Sequence, residues 1–172
     1  MPIDAKTLLH FPNAVFVETG TYRGEGIAAA LDAGYERIIS IEAHPQLWKE
    51  AHARYADLAQ VTVIHGDSNQ ELSKAIAGID KPITFWLDAH GYGGDGSVHL
   101  DCPLASELEA IRNHPLHQHT ILIDDVHLLG RSYMRNVTED SVIKALLAIN
   151  PNYMLMQICS PSERWRILAA IP

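Results

Sequence analysis

Acidic side chains recur in one context along this chain: Glu18, Glu42, Asp67, Asp88 and the pair Asp124–Asp125 each stand at or just past the end of a short apolar run. Glu18 leads into Thr19-Gly20-Thr21-Tyr22-Arg23-Gly24-Glu25-Gly26, a glycine-rich turn that lets backbone approach a ligand closely at the start of a helix. The segment Gly24 to Ala29 fits a loosened dinucleotide fingerprint, but Gly24 lies six positions beyond Glu18, too far from the preceding run for that motif. A pyrophosphate would also be repelled by Glu18 in a partly desolvated site, whereas a ligand bearing an ammonium and a sulfonium would be attracted. Glu42, 22 positions after Gly20 and followed by Ala43, is placed to accept both ribose hydroxyl hydrogens of a nucleoside. Asp67 is placed to accept from an adenine amino group, with the Ser68 backbone beside it.

The elements that must position these residues read as alternating strands and helices. Residues 14–18 (AVFVE), 37–42 (RIISIE), 61–65 (VTVIH), 83–88 (ITFWLD) and 120–124 (TILID) are nearly continuous, β-branched apolar runs, the form of strands buried on both faces of a parallel sheet. Between them, Leu47, Ala51, Tyr55 and Leu58, then Leu72, Ile76 and Ile79, then Leu104, Leu108 and Ile111 recur at helical spacing. Asp140 or Ser141 would cap a further helix that stops near Asn150-Pro151. Residues 153–159 and 164–171 are strand-like and separated by only four residues, too few for a parallel crossover, so they should pair antiparallel. The pattern predicts a doubly wound α/β sheet, mostly parallel, closed by an antiparallel C-terminal hairpin, with residues 1–172 as one domain. In such sheets a ligand lies beyond the carboxyl ends of the strands, where the acids cluster. Trp48 and Trp86 read as core.

Composition narrows the partners. With 47% hydrophobic residues the chain can bury a core, and a net charge of −8 argues against nucleic acid or an anionic membrane. Cys102 and Cys159 cannot form a disulfide framework. No run approaches the ~18 apolar residues of a membrane span, and no signal peptide is legible, so a cytoplasmic protein is expected.

S-adenosylmethionine carries the ammonium and the sulfonium that Glu18 would attract, and here the chain resembles the class I S-adenosylmethionine-dependent methyltransferases. VETGTYRG is similar to their glycine motif, Glu42 to their ribose-binding acid and HGDS to their adenine-side turn. The resemblance implies a seven-stranded sheet and a donor site built from Glu18, Gly20, Thr21, Tyr22, Gly24, Glu42, Ala43, Asp67, Ser68 and Asp88. In that family's strand order Asp88 would neighbour Asp124 and Asp125, and anions clustered so closely call for a proton or a hard divalent cation such as magnesium or manganese. The arrangement looks like the metal-dependent O-methyltransferases of catechols and sugar hydroxyls, and the Ile123-Asp124-Asp125 ending resembles the sugar-modifying branch. A cation bound by vicinal hydroxyls lowers the pKa of one of them, readying it for methyl transfer.

The catechol enzymes carry a lysine shortly after the strand-four aspartate, whereas this chain reads Asp88-Ala89-His90-Gly91-Tyr92. His90 is the first candidate base, with Asp88 beside it, and His127 the second; either histidine could instead bind metal. Residues 91–97 read as a lid or a plain loop, with Tyr92 able to cover a ligand. His99, Asp101 and Cys102 do not match a zinc spacing, and His114, His117 and His119 read as a polar connection. The expected activity is O-methylation of a small hydroxylated molecule or a saccharide. Other readings are a metal-dependent hydrolase or lyase using Asp88, His90, Asp124 and Asp125, a non-catalytic nucleotide-binding module, and an NAD-dependent dehydrogenase. With no cap to enclose the acceptor, the pocket is completed by a second subunit in a homodimer or takes a large acceptor.

Overall fold

β-Branched runs too short for helices pair here into one seven-stranded sheet, in a computed structural model that describes residues 3–89, 102–131, 134, 136–159 and 166–172. The strands are β1 (Val15–Thr19), β2 (Arg37–Glu42), β3 (Val61–His65), β4 (Ile83–Leu87), β5 (Thr120–Ile123), β6 (Met154–Cys159) and β7 (Arg166–Ile171). Their order is β3-β2-β1-β4-β5-β7-β6. The first five pair in parallel, and β7 lies antiparallel between β5 and β6, as the short connection requires.

Alternation along each strand sends side chains to two separate cores. On one face Phe16, Ile38, Trp86, Leu122 and Ala169 pack under α1 (Ala5–Leu8), α2 (Glu25–Asp32) and α3 (Pro45–Tyr55). On the other, Val17, Ile41, Phe85, Leu87, Ile121 and Ile123 pack under α4 (Ser68–Ile76), α5 (Leu104–Arg112) and α6 (Glu139–Ile149). Trp86 is fully buried, while Trp48 is half-buried and donates from Nε1 to the Val63 carbonyl. Among the described residues no helix is long and apolar enough to cross a membrane.

Local chemistry corrects two readings and adds one short helix. α6 is capped by Thr138 rather than by Asp140 or Ser141: the Thr138 hydroxyl accepts from the Ser141 amide and the Ser141 hydroxyl accepts from the Thr138 amide. α1 was too short to show a period; Asp4 starts it by accepting from the Thr7 amide. His114 and His119 are buried rather than part of a polar connection. The Ile83 amide donates to His119 Nδ1, so His119 Nε2 carries the hydrogen toward His114 Nδ1 at 3.0 Å, and His114 Nε2 donates to the Ile76 carbonyl at 3.2 Å. This relay satisfies backbone groups of α4 and β4 at the sheet end opposite the acids. His117 remains exposed.

Candidate functional site

β1 and β4 run in parallel register, and their carboxyl ends bring Gly20 against Asp88. Gly20 has φ +85°, and a Cβ there would lie 2.6 Å from the Asp88 carbonyl oxygen, so only glycine fits. The turn continues through Tyr22, held at φ +48°, to Gly24 at φ +83°, the residue before α2. α3 braces it from the side. The Tyr55 hydroxyl donates to the Gly24 carbonyl at 2.9 Å, the Arg54 guanidinium donates to the Arg23 carbonyl, and the Arg23 guanidinium lies over the Tyr22 ring.

Glu42 closes the same edge. Its Oε2 accepts from the Tyr22 amide and its Oε1 from the His44 amide, both at 2.8 Å. One carboxylate therefore ties the turn after β1 to the turn after β2, and each oxygen keeps a lone pair for a ligand hydroxyl. Ala43 is exposed between these anchors.

Glu18 lies buried beneath α2 rather than open at the strand end. It is 1% exposed, accepts from the Ser40 hydroxyl at 2.5 Å, and lies so close beneath α2 that a Cβ on Gly26 would come within 1.7 Å of its Oε1. Burial raises its pKa to about 8, with the Ser40 bond opposing. It is thus mostly a neutral acid at pH 7, because alternation turns residue 18 into the α2–α3 core. Thr21 is drawn inward too, its hydroxyl 2.5 Å from Ser40 Oγ.

On the adenine side expected from the sequence, Asp67 spends Oδ1 on the Asn69 amide as the cap of α4, and Ser68 is buried at the first helical position. Sequence reasoning missed Glu107. It sits within the apolar stripe of α5, between Leu104 and Leu108, and is 1% exposed. A carboxylate on the buried face of a helix was the available signal.

Asp88 follows β4 and Asp124–Asp125 follow the neighbouring β5, close enough for their charges to act on one another. The Asp88 amide donates to the Thr19 carbonyl and the Asp124 amide to the Leu87 carbonyl, continuing the ladder past β4 and β5. Burial, then the charges of Asp124 and Asp125, hold the Asp88 carboxyl well above the carboxylate range. Burial and Asp125 push Asp124 up to about 6, and burial also raises Asp125. Asp124 Oδ1 accepts from the Asp125 amide, and Asp125 takes a left-handed φ of +52°. Its Oδ1 lies 3.9 Å from His127 Nδ1. Among the described residues no three His, Cys, Asp or Glu side chains converge on one point as metal ligands. The donor chemistry nevertheless suits a hard divalent cation: all-oxygen carboxyls whose mutual repulsion a positive charge would relieve. His90, Tyr92, the glycine-rich segment 91–97, His99 and Asp101 lie outside the described residues.

No protein-family model matches the chain, and no curated protein does. Solved structures do. The chain is similar to the methyltransferase PaMTH1 of Podospora anserina with bound S-adenosylhomocysteine, at 14% identity and a TM-score of 0.62 over 98% of this chain and 76% of that one. It is similar to an O-methyltransferase of Bacillus cereus in complex with S-adenosylhomocysteine, at 14% identity and a TM-score of 0.62, covering 98% and 78%. Fibrillarin of Aeropyrum pernix, with natively bound S-adenosyl-L-methionine, aligns at 14% identity and a TM-score of 0.61, covering 91% and 66%. In strand order, in its antiparallel closing hairpin and in these neighbours, the chain has the Rossmann-like fold of the class I S-adenosylmethionine-dependent methyltransferases.

Proposed function

We propose that the protein transfers a methyl group from S-adenosylmethionine to a hydroxyl oxygen of a small molecule or saccharide. The observation that carries this reading is the Glu42 carboxylate, which joins the turns after β1 and β2 while keeping acceptor capacity toward the ligand side. A nucleoside's vicinal hydroxyls match that capacity, and the glycine turn offers backbone at close range for the rest of the donor.

In this reading a lone pair of the acceptor oxygen attacks the methyl carbon, the carbon–sulfur bond breaks, and its electron pair stays on sulfur as S-adenosylhomocysteine. The hydroxyl proton must leave. Among the described side chains our candidate to take it is His127, whose Nδ1 lies 3.9 Å from Asp125 Oδ1. Asp124 and Asp125 place negative charge at the end of β5, which favours a cationic methyl donor. A divalent cation, if held by Asp124 and Asp125, would make a coordinated hydroxyl more acidic. The chain's own residues otherwise supply positioning, the main requirement of an in-line methyl transfer.

Calorimetry with S-adenosylhomocysteine, S-adenosylmethionine and NAD tests the donor. Binding of the first two supports the reading, and NAD binding without them refutes it. Turnover of a polyol or glycan panel with EDTA, then with added Mg²⁺ or Mn²⁺, tests the cation: activity lost and restored supports it, while activity indifferent to EDTA reduces the carboxyl cluster to a structural role.

A further inference from the structure

Glu107 is the buried titratable group for which the reaction above has no use. Neither of its carboxyl oxygens has a hydrogen-bond partner, and the Thr19 hydroxyl is likewise buried without one. A carboxyl left so costs stability, about 1–3 kcal/mol for an unsatisfied buried polar group and more if charged, which calls for a compensating role. Its surroundings suggest which. The Ser68 and Thr19 hydroxyls lie near enough to favour its ionised form, and the charge of Asp67 opposes it. Thr19 is the last residue of β1, immediately before the glycine turn, and Asp67–Ser68 form the turn into α4. The carboxyl thus sits near the turns that follow β1 and β3, on the sheet face opposite Glu18. α5 is tied to the first turn of α4 by the Ser106 hydroxyl donating to Asn69 Oδ1.

We propose that Glu107 is a positioning residue for the donor, a buried acid that in its protonated form joins the Thr19 end of β1 to the Ser68 start of α4 by donating to one hydroxyl and accepting from the other. This rests on the reading of a nucleoside donor at the Glu42 edge. A protonated carboxyl offers one donor and one acceptor, which suits two hydroxyls; the ionised form offers acceptors only and places a second anion beside Asp67. The titratable groups bearing on it are Asp67, from the turn into α4, and Cys102, ahead of α5. α6 faces α5 with Val142, Leu146 and Ile149. Burial raises the Glu107 pKa to about 7, so the joint is made below that pH and released above it.

The test measures S-adenosylhomocysteine affinity and amide hydrogen exchange at residues 19–20 and 68–69, on both sides of pH 7, in the wild type, Glu107→Gln and Glu107→Leu. Glutamine presents one donor and one acceptor at every pH. The wild type should bind about tenfold more weakly above pH 7 than below it. Glu107→Gln should keep the tighter affinity throughout, and Glu107→Leu should be weak throughout. Exchange at both turns should follow the same pattern without ligand. If Glu107→Gln keeps the wild-type pH profile, or Glu107→Leu binds and exchanges like the wild type, the proposal is wrong. If the wild type binds no S-adenosylhomocysteine at any pH while exchange still follows residue 107, the donor reading falls and the joint stands.

Discussion

Replacing Glu42 by glutamine removes charge while changing shape least, and its effect follows from two hydrogen bonds. In the wild type Oε2 and Oε1 each accept a backbone amide at 2.8 Å, from Tyr22 and His44. Glutamine has a single acceptor oxygen, so its NH₂ must face one of those N–H groups. One charge-assisted bond, about 1.5–3 kcal/mol, is lost outright, and the other weakens to the neutral value of about 1 kcal/mol. Tyr22 is the exposed side, because its left-handed φ of +48° is held against its own preference by that bond. A ligand meets the same deficit: of two ribose hydroxyls, one loses an anionic acceptor, another ~1.5–3 kcal/mol, or roughly 10- to 150-fold in Kd. Calorimetry of S-adenosylhomocysteine binding, with urea unfolding of the same samples, separates the two effects. A variant less stable than the wild type but equal to it in Kd would show that Glu42 only braces the turns, and the reasoning from its lone pairs to the nucleoside would be refuted.

Asp124→Ala should abolish methyl transfer while leaving S-adenosylhomocysteine affinity within about twofold of wild type, since Asp124 follows β5 and Glu42 ends β2, with β1 and β4 between them; loss of both in calorimetry and turnover assays would place Asp124 in the donor site instead. Gly26→Ala should destabilise by several kcal/mol, on the order of 3 or more, because its Cβ would fall 1.7 Å from Glu18 Oε1 in a close-packed core, and thermal unfolding reads this directly. The buried His119 has its pKa lowered to about 4, first by burial and then by His114. The unfolded chain, near pH 6.5, therefore binds the proton more readily. The stabilisation is complete above pH 6.5 and disappears as pH falls to 4, about 3 kcal/mol in all. Urea midpoints should fall across that window, and an NMR titration placing His119 near 6.5 in the folded protein would contradict it.

The strand ends were legible because each apolar run has an acid within two residues of its end. The acids after residues 17, 41, 66, 87 and 123 mark where the sheet stops, and Gly20 and Gly24 carry the left-handed turn that their type suggests. The orientation of each carboxyl was not legible. Glu18 and Glu42 both close a β-branched run, yet the first is sunk beneath α2 and the second clamps the amides of the turns after β1 and β2. The difference is two positions along the same face of the sheet: residue 18 lies inside β1, opposite Ser40, while residue 42 is the last of β2 with two turns around it. Asp67 was assigned to a ligand on position alone and serves first as a helix cap.

Local chemistry in the chain was enough to determine where strands stop, which turns need glycine, and that the final pair of strands closes antiparallel, because each depends on neighbours a few residues away. Tertiary structure alone decided that the carboxyls of Asp88 and Asp124 share a field, that Glu107 lies under Thr19 and Ser68, and that Glu18 is a neutral core acid. Those facts join residues 36, 88, 39 and 22 positions apart, as in the pairing of Glu18 with Ser40, and they arise from burial, which no short window of sequence contains.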